Sequence, residues 1–337
     1  MATGALGYIS YQIMNGNQAS PYFMPFVSES LTANRNYLLS NNMRGRRFEE
    51  NMYQGQTFVE GEIVMEPTPI QLRRFLKFFC NQNNDSTLVD NHWEWDFNPV
   101  NSTVSSGNPG NTVLFEANIL DIMVTKSRED TISYHSEHFQ GCGIKTMTLN
   151  MTAGALPTLS IGVVGWSHDF TDSNFTPVFD LEDEFTWEQS SFSIGSGTPG
   201  GYTSLTLTMD NMLEIRKPIG SDAWTDIRSA YEDNKAFYNY TGLQTVEVTG
   251  TVQAFTEERT PWKDGDEVEA TIFMQGPEID SGYNADFTAI MPKVQITEWS
   301  NPIGGPGVLE SSFTGKALYN AGSGTQINFT MSTSDFY

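Results

Sequence analysis

The clearest alternation of apolar and polar positions lies in FVEGEIVME, residues 58–66. In an extended chain, Val59, Ile63 and Met65 share one face. The opposite face is mostly charged and consists of Phe58, Glu60, Glu62, Val64 and Glu66. This period of two predicts a β-strand with one buried and one solvated face.

The next segment, PTPIQLRRFLKFF, changes to a helical period. Thr68 is a good N-cap, Pro69 suits the first helical position, and Gln71 completes a Thr-x-x-Gln capping box. The apolar residues fall at i, i+3, i+4 and i+7, namely Leu72, Phe75, Leu76 and Phe79. We therefore predict a helix over residues 69–80 that covers a sheet, with its basic residues off the apolar stripe.

The rest of the chain favours strands separated by turn-rich pieces such as SIGSGTPGG and NPIGGPG. The strand candidates are HWEWDF, TVLFEANI, GIKTMTLNM, LSIGVVGW, FTWEQSSFSI, SLTLTM, LQTVEVTGTVQAF, VEATIFM, FTAIMPKVQITEW, VLESSFTGKAL and TQINFTM. With so many strands and one convincing helix, the chain is predicted to be mainly β, built as sandwiches or barrels.

The two halves of the chain echo each other. A shift of 189 residues places Val59 on Val248 and Gly61 on Gly250, and a shift of 150 places Gly165 on Gly315 without a gap. The order and spacing of a strand pair therefore recur, which indicates an internal duplication.

The difference between the two shifts means that the first copy holds about 39 additional residues, which include the helix and HWEWDF. The resulting division is an N-terminal arm (1–24), a first β-domain (25–168), a linker or insertion (169–200) and a second β-domain (201–337).

Composition limits the possible classes of protein. The chain has 337 residues, 38% of them hydrophobic, which suits a folded globular protein. We find no secretory signal and no apolar stretch long enough for a membrane span. Cys80 and Cys142 are too few for a disulfide framework, so free thiols in a reducing compartment are expected.

Metal, cofactor and enzyme signatures are weak. His135 and His138 have a spacing that a metal site could use, but the surrounding residues read as strand and loop. The run DLEDE lacks the alternating ligands and central glycine of a calcium loop. With no nucleophile or phosphate-binding motif, we expect no catalytic residue, no metal and no cofactor.

Charge is distributed unevenly. The net charge is −23, yet residues 35–77 hold seven of the 18 basic residues and a net charge of +2. The acidic remainder argues against binding a nucleic-acid backbone but suits a surface that DNA passes without adhering. A basic patch meeting an acidic patch of another copy would be a heterologous contact, which builds rings or filaments.

The chain resembles the tail tube (major tail) proteins of long-tailed, siphovirus-like bacteriophages, in the larger version with two tube-type domains. The resemblance rests on PFVSESLTANRNYLLSNNMRGRR, then EGEIVMEP, QLRRFLKFF and GCGIKTMTLNMTAGALPTLSIGVVG in that order. It is best over residues 25–165 and thinner in the second half, where it relies on the strand echo.

The resemblance implies tandem β-sandwich domains with a short flanking helix, whose strands continue into a β-barrel shared between subunits. Rings of the protein would stack into a hollow, non-enzymatic conduit for ejection of genome DNA. The implied partners are other copies of the chain, the tape-measure protein, and the terminator and tip proteins of the tail. The protein would be made in the host cytoplasm and would reside in the virion.

A long loop, here residues 35–56, would reach the adjacent ring. The candidates for contacts between subunits are Arg35, Arg44, Arg46, Arg47, Arg73 and Arg74. The candidates for an acidic lumen or a complementary face are Glu60, Glu62, Glu66, Glu247, Asp180, Glu182, Asp183 and Glu184. Three chains would complete a pseudo-sixfold ring if both halves are tube domains, and six would be needed if the second half only decorates the ring.

Two other functions stay open on the sequence alone. Seven tryptophans and many carboxylates would also suit a carbohydrate-binding or carbohydrate-cleaving β-sandwich, with Trp93 and Trp95 as candidate sugar contacts. A capsid or decoration protein is a closer relative of the tube hypothesis.

Overall fold

The computed structural model describes residues 7–13, 21–39, 52–81, 86–89, 92–99, 119–127, 134–171, 175–180, 182–195, 201–215, 238–240, 243–253, 263–280, 282–302 and 309–334. In these ranges the chain is mainly β with one α-helix, as predicted. The candidate strand TVLFEANI lies almost wholly outside the described residues.

The strands of the first half are β1 (Tyr8–Ile13), β2 (Tyr22–Met24), β3 (Ser28–Glu29), β4 (Thr32–Leu39), β5 (Met52–Met65), β6 (Ser86–Val89), β7 (His92–Phe97), β8 (Leu120–Ser127), β9 (Tyr134–Thr152), β10 (Thr158–Gly165) and β11 (Ser167–Thr171). Those of the second half are β12 (Ser190–Ile194), β13 (Tyr202–Asp210), β14 (Leu213–Ile215), β15 (Tyr238–Tyr240), β16 (Thr245–Gln253), β17 (Glu267–Asp280), β18 (Tyr283–Ser300), β19 (Glu310–Ala317) and β20 (Asn328–Thr333). Helix α1 spans Pro69–Cys80, and a short 3-10 helix spans Trp187–Gln189.

Helix α1 has the predicted boundaries because its local signals are strong. The Thr68 side chain accepts a hydrogen bond from the Gln71 backbone N–H, and the helix ends at Asn81, whose φ of 52° is left-handed. The predicted capping box is only half formed, however. The Gln71 amide is buried and no described residue hydrogen-bonds to it, so only the Thr68 half of the box forms.

One layer of the fold is a sheet that continues through both halves. Beginning at the edge formed by β3 and β4, its order is β5, β10, β9, β13, β16, β19 and β18, and all neighbouring strands are antiparallel. One face carries buried apolar residues such as Ile63, Leu149 and Val248, and this face forms the core. We call this layer the eight-stranded sheet, counting β3 and β4 as one edge strand.

A second layer covers the core in each half. In the first half its order is β2, β1, β8, β9 and β11, and in the second half it is β12, β17, β18, β20, β7 and β6. Strands β9 and β18 have 19 and 18 residues and belong to both layers. Each half is therefore a sandwich in which one long strand passes from the covering layer into the eight-stranded sheet.

The register repeats between the halves. Val59 lies opposite Gly165, and Val248 lies opposite Gly315, so the shifts of 189 and 150 residues map one strand pair onto the other. The pairs β4–β5 and β13–β16 also correspond. Thr32 lies opposite Glu60 and Thr206 lies opposite Thr249, and Glu60 and Thr249 are related by the shift of 189. The strand echo in the sequence thus corresponds to the same strand order and register in both halves.

The ungapped shift of 150 is wrong for the first strand of the hairpin. Thr146 lies opposite Gly162, whereas Ser300 lies opposite Ser312, so at this pair β9 corresponds to β18 at a shift of 154. At the next two pairs, past the register irregularity between Gly162 and Val163, the shift is 155. Between these matched pairs the second hairpin is therefore four residues shorter, because Thr146 and Gly162 are 16 residues apart whereas Ser300 and Ser312 are 12 apart.

The predicted strand HWEWDF forms β7, but it completes the sheet of the other half by pairing with β20. The Trp95 Nε1–H donates to Thr333 Oγ1 at 3.0 Å, and both residues are buried. The residues predicted as an N-terminal arm contain β1 and β2, whose buried Ile9 and Tyr11 belong to the core. These placements are long-range and have no local signature.

Gly141 permits the passage of β9 between layers, and its replacement by alanine should be costly. Its φ is +60°, and an added Cβ would lie 2.1 Å from the Trp166 indole. We expect Gly141→Ala to lower the free energy of unfolding by about 2–4 kcal/mol, from the left-handed backbone and the overpacking together. Urea denaturation would measure this.

Gly154→Ala is the matched control. Gly154 also has a positive φ, +81°, but an added Cβ would meet nothing within 4 Å. It should cost only about 1 kcal/mol, the backbone component alone. Equal losses for both variants would show that the Trp166 contact does not constrain the bend.

Candidate assembly surfaces

The face of the eight-stranded sheet opposite the core is polar and continuous. Ser160, Thr148, Thr208, Glu247 and Lys316 lie opposite one another in succession on β10, β9, β13, β16 and β19. Cross-strand partners share a face, so this row of side chains crosses from the first half to the second without interruption. We call this surface the wet face.

Hydroxyl groups dominate the wet face. Its threonines and serines include Thr146, Thr148, Thr152, Thr158, Ser160, Ser204, Thr206, Thr208, Thr245, Thr249, Thr251, Ser312 and Thr314. Its charged residues include Glu60, Glu62, Asp210, Glu247, Glu310 and Lys316. The surface is therefore mostly neutral and hydrogen-bonding, with a small excess of carboxylates.

Three of the predicted acidic lumen candidates lie on this face. Glu60, Glu62 and Glu247 are exposed, and the Asn34 amide donates to Glu60 Oε1 at 2.8 Å. Glu66 follows β5 and is half-buried. The sequence analysis did not predict the threonines that outnumber these acids on the wet face. The alternation of Thr with apolar residues in SLTLTM and TVEVTGTV would have placed them there.

The predicted loop over residues 35–56 is partly a two-stranded ribbon made by the ends of β4 and β5. Arg35 is exposed on β4, opposite Thr57. Arg44, Arg46 and Arg47 lie outside the described residues, in the sequence that joins the two strands. The large apolar side chains of the ribbon are between 44% and 64% exposed, namely Tyr37, Leu38, Leu39, Met52 and Tyr53.

An exposed apolar cluster of this size is unusual on a monomeric protein. Because cross-strand partners share a face, Leu38 and Tyr53 lie on one face of the ribbon, and Tyr37, Leu39 and Met52 lie on the other. Exposed apolar residues of this kind are typical of a surface that contacts another molecule.

The two helix arginines are buried within the chain. Arg73 is 4% and Arg74 is 7% exposed. The Arg73 guanidinium lies 4.5 Å from the ring centre of Trp95, and that of Arg74 lies 4.0 Å from the ring centre of Tyr22. Their sequence positions off the apolar stripe suggested exposure, but β7 and β2 cover them. We therefore leave both out of the proposed contacts between copies.

Arg74 is held in its buried site by charge. Its guanidinium Nη1 lies 2.8 Å from Asp180 Oδ2. Burial would lower the pKa of Arg74, but Tyr11 and Asp180 outweigh it, and the pKa is raised. Burial raises the pKa of Tyr11 to about 12, even though the nearby Arg74 opposes the shift. The arginine thus stays charged and fastens the segment 175–180 to the helix.

The acidic segment of the linker is partly structural. Glu182 Oε2 accepts the Ile70 backbone N–H at 3.1 Å, and Oε1 accepts the Ser334 hydroxyl at 2.6 Å. Burial raises the pKa of Glu182. Asp183 is exposed and Glu184 half-buried, so these two carboxylates stay accessible beside the start of α1.

The remaining candidate chemistry is sparse. In the ranges that the structure describes, no group of three His, Cys, Asp or Glu residues is placed to hold a metal. Cys80 and Cys142 are free and buried, and burial raises the pKa of both thiols. None of the helices found in those ranges has the length and apolar character to span a membrane.

The sequence was compared with known proteins. A model of the family described as phage tail tube protein matches residues 3–317. A search of curated proteins found no match.

Replacing Asp180 should destabilise the chain because it would leave the buried Arg74 guanidinium without its carboxylate. We expect Asp180→Asn to lower the free energy of unfolding by about 2–3 kcal/mol, less than for a fully buried pair because Asp180 is 26% exposed. Urea denaturation would measure the loss. Asp183→Asn, which removes an exposed carboxylate from the same segment, is the control and should change stability little. A similar effect of both variants would contradict this role for Asp180.

Proposed function

Because the chain belongs to the phage tail tube protein family, we propose that it self-assembles into stacked rings that form the hollow tube of a phage tail. The family establishes a structural protein of the virion tail, rich in β-structure. The observation that carries the finer proposal is the eight-stranded sheet, which is buried on one face and wet on the other. Among the described residues, no strand lies beyond β4 or beside β18 past Gln295 on its β17 side.

Each ring is proposed to contain three chains. Both halves contribute four strands to the eight-stranded sheet, in the same order and with the same register at two strand pairs. Residues 25–168 and 201–337 would then form two tube-type domains, the first completed by β1 and β2 from residues 1–24 and the second by β12 from residues 169–200. Three chains with two such units each complete a pseudo-sixfold ring. A second half that only decorated the ring would not be expected to continue the sheet of the first half.

The wet face is proposed to line the lumen. A closed sheet has one inward and one outward face. Here the second layer covers the core face, so the wet face is the one that would point inward. Threonine and serine hydroxyls bind water, and the scattered carboxylates repel phosphate. DNA and the tape-measure protein could then pass without sites that hold them, because adhesion to DNA depends on clustered positive charge.

Stacking is proposed to join opposite ends of the chain. Strand β5 has 14 residues and is about 45 Å long, with the ribbon at its first end. The start of α1 and the acidic segment lie at its last end. There the Pro67 carbonyl accepts the Phe185 N–H, and Glu182 accepts the Ile70 N–H. Arg44, Arg46 and Arg47 would extend from the ribbon to Asp183 and Glu184 of the next ring, a head-to-tail contact that repeats.

The proposed setting follows from this assembly. The tube would end on terminator and tip proteins, enclose the tape-measure protein, and be made in the cytoplasm of the host. A carbohydrate-binding function has less support, because Trp95 is 3% exposed and Trp93 is packed against the core. No catalytic role is proposed.

Electron microscopy of the purified chain tests the assembly. We expect the parent to form hollow tubes, and a variant with Arg44, Arg46 and Arg47 changed to Glu to form separate rings, because reversed charges would repel the acidic end. The matched control changes the same three residues to Lys, which keeps the charge and should keep the tubes. Tubes from the Glu variant would refute the basic loop as the stacking element, and monomers from the parent at high concentration would count against self-assembly.

Reversing charge on the wet face tests the lumen assignment. Tubes of a Glu62→Lys, Glu247→Lys variant should retain short duplex DNA in co-sedimentation, and less of it as salt rises, because the lining gains phosphate contacts. The control Asp169→Lys, Glu188→Lys makes the same charge change at exposed positions outside the eight-stranded sheet. Equal DNA retention by both variants would argue that the wet face does not line the lumen.

A further inference from the structure

The connection that forms the ribbon in the first half has a counterpart in the second half. In the first half it leads from β4 to β5, and in the second half it leads from β13 to β16. These strand pairs correspond because Thr32 lies opposite Glu60 and Thr206 lies opposite Thr249, at the shift of 189. The two connections therefore occupy equivalent places in the repeat.

The first half extends its strand pair past the point where the second half stops. The shift of 189 places Thr245, the first residue of β16, on Gln56 of β5. On the N-terminal side of Gln56, after one irregularity, β4 and β5 continue to pair as far as Leu39 opposite Met52. The ribbon is this extension.

The second half ends its strand pair at that level. Asp210 opposite Thr245 is the last pair of β13 and β16. The backbone N–H of the next residue, Asn211, donates to the Lys145 carbonyl of β9 at 2.9 Å, and Met212 has a left-handed φ of 51° that a strand does not continue through. The chain then forms β14 and β15, a separate two-stranded sheet that contacts β9 and β10 of the first half.

Asn211 fastens this hairpin to the body of the chain. It is 6% exposed, and its side-chain amide donates to the Phe79 carbonyl at 2.8 Å and accepts from Gln244 Nε2 at 2.8 Å. The Phe79 carbonyl is among the last four of α1, which have no partner inside the helix. Asn211 therefore joins β9, the end of α1 and the segment that leads into β16.

We propose that only the ribbon of the first half contacts the next ring, because Asn211 holds the second half's equivalent connection against its own chain. This inference rests on the proposed stacking of rings. The large apolar side chains of the ribbon are 44–64% exposed and available to another copy, whereas Leu213, just after the turn, is 3% exposed. A ring of three chains then has three ribbon contacts with the next ring, although it holds six tube-type domains.

Two matched truncations test the inference. The ribbon variant replaces residues 38–53 by Asn-Gly, which joins Tyr37 to Gln54. The hairpin variant replaces residues 214–239 by Asn-Gly, which joins Leu213 to its partner on β15. In both variants the joined residues lie directly opposite each other in antiparallel strands, and Asn-Gly is a turn that closes such a pair. Urea denaturation of both variants checks that they fold.

Electron microscopy of the purified chains is expected to show tubes for the parent and the hairpin variant, and separate rings for the ribbon variant. Separate rings from the hairpin variant would overturn the inference, because the second half would then supply a contact that stacking requires. Tubes from the ribbon variant would also overturn it but would leave the tube function standing. A parent that forms neither rings nor tubes would refute the tube function and this inference together.

A point variant of the ribbon repeats the test without a truncation. Leu38→Asp with Tyr53→Asp places two charges on one exposed face of the ribbon, so the chain should fold and form separate rings. Tubes from this variant would contradict the ribbon contact in the same way.

Hydrogen exchange measured by mass spectrometry tests the role of Asn211. In the Asn211→Ala variant, the peptide that contains Leu213–Ile215 should exchange at least about fivefold faster than in the parent, because the hairpin loses buried hydrogen bonds. The control Asn150→Ala removes a different side-chain hydrogen bond of the same sheet, the one from Thr206, and should leave that peptide unchanged. An equal exchange rate in the parent and the Asn211→Ala variant would refute Asn211 as the residue that holds the hairpin.

Discussion

The backbone groups at the edges of a β-sheet require hydrogen-bond partners, and the organisation of this chain follows from that requirement. Within the chain, β9 leaves its covering strand at Cys142 and its uncovered side is taken by β13. The two sandwiches thereby share one sheet instead of folding as separate units. In the described ranges, β4 pairs on one side only, with β5, and β18 has no partner on its β17 side beyond Gln295.

The two faces of the sheet carry different physical demands. The core face is filled by Val, Leu, Ile and Met side chains, and glycines permit close packing where the halves correspond, at Gly165 and Gly315. The wet face uses short hydroxyl side chains, which have good strand propensity and stay solvated.

The two halves are tied together outside the sheet as well. Strand β7 leaves the first half to pair with β20, and Arg73 stacks on its Trp95. The acidic linker also connects the two halves, through α1. Asp180 forms an ion pair with Arg74, and Glu182 hydrogen-bonds both to the start of α1 and to Ser334. Charge that the sequence suggested for contacts between copies is therefore used in part to hold one subunit rigid.

The sequence by itself determined the elements whose signals are local. The alternation in β5 and the caps and apolar stripe of α1 were predictable, because period and capping are set within about a dozen residues. The echo of β5 and β10 in β16 and β19 was also visible, because a repeat can be read by comparing the chain with itself. Three of the acids proposed for the wet face were also found in this way.

Only the tertiary structure decided which distant elements meet. Trp95 and Thr333 are 238 residues apart, and nothing near either residue indicates that β7 would cross to the other half. The burial of Arg73 and Arg74 depends on strands and a linker from elsewhere in the chain, so their helical position off the apolar stripe was misleading. Strand pairing and burial are chosen among many alternatives by the packing of the whole chain, and a local pattern carries no record of that choice.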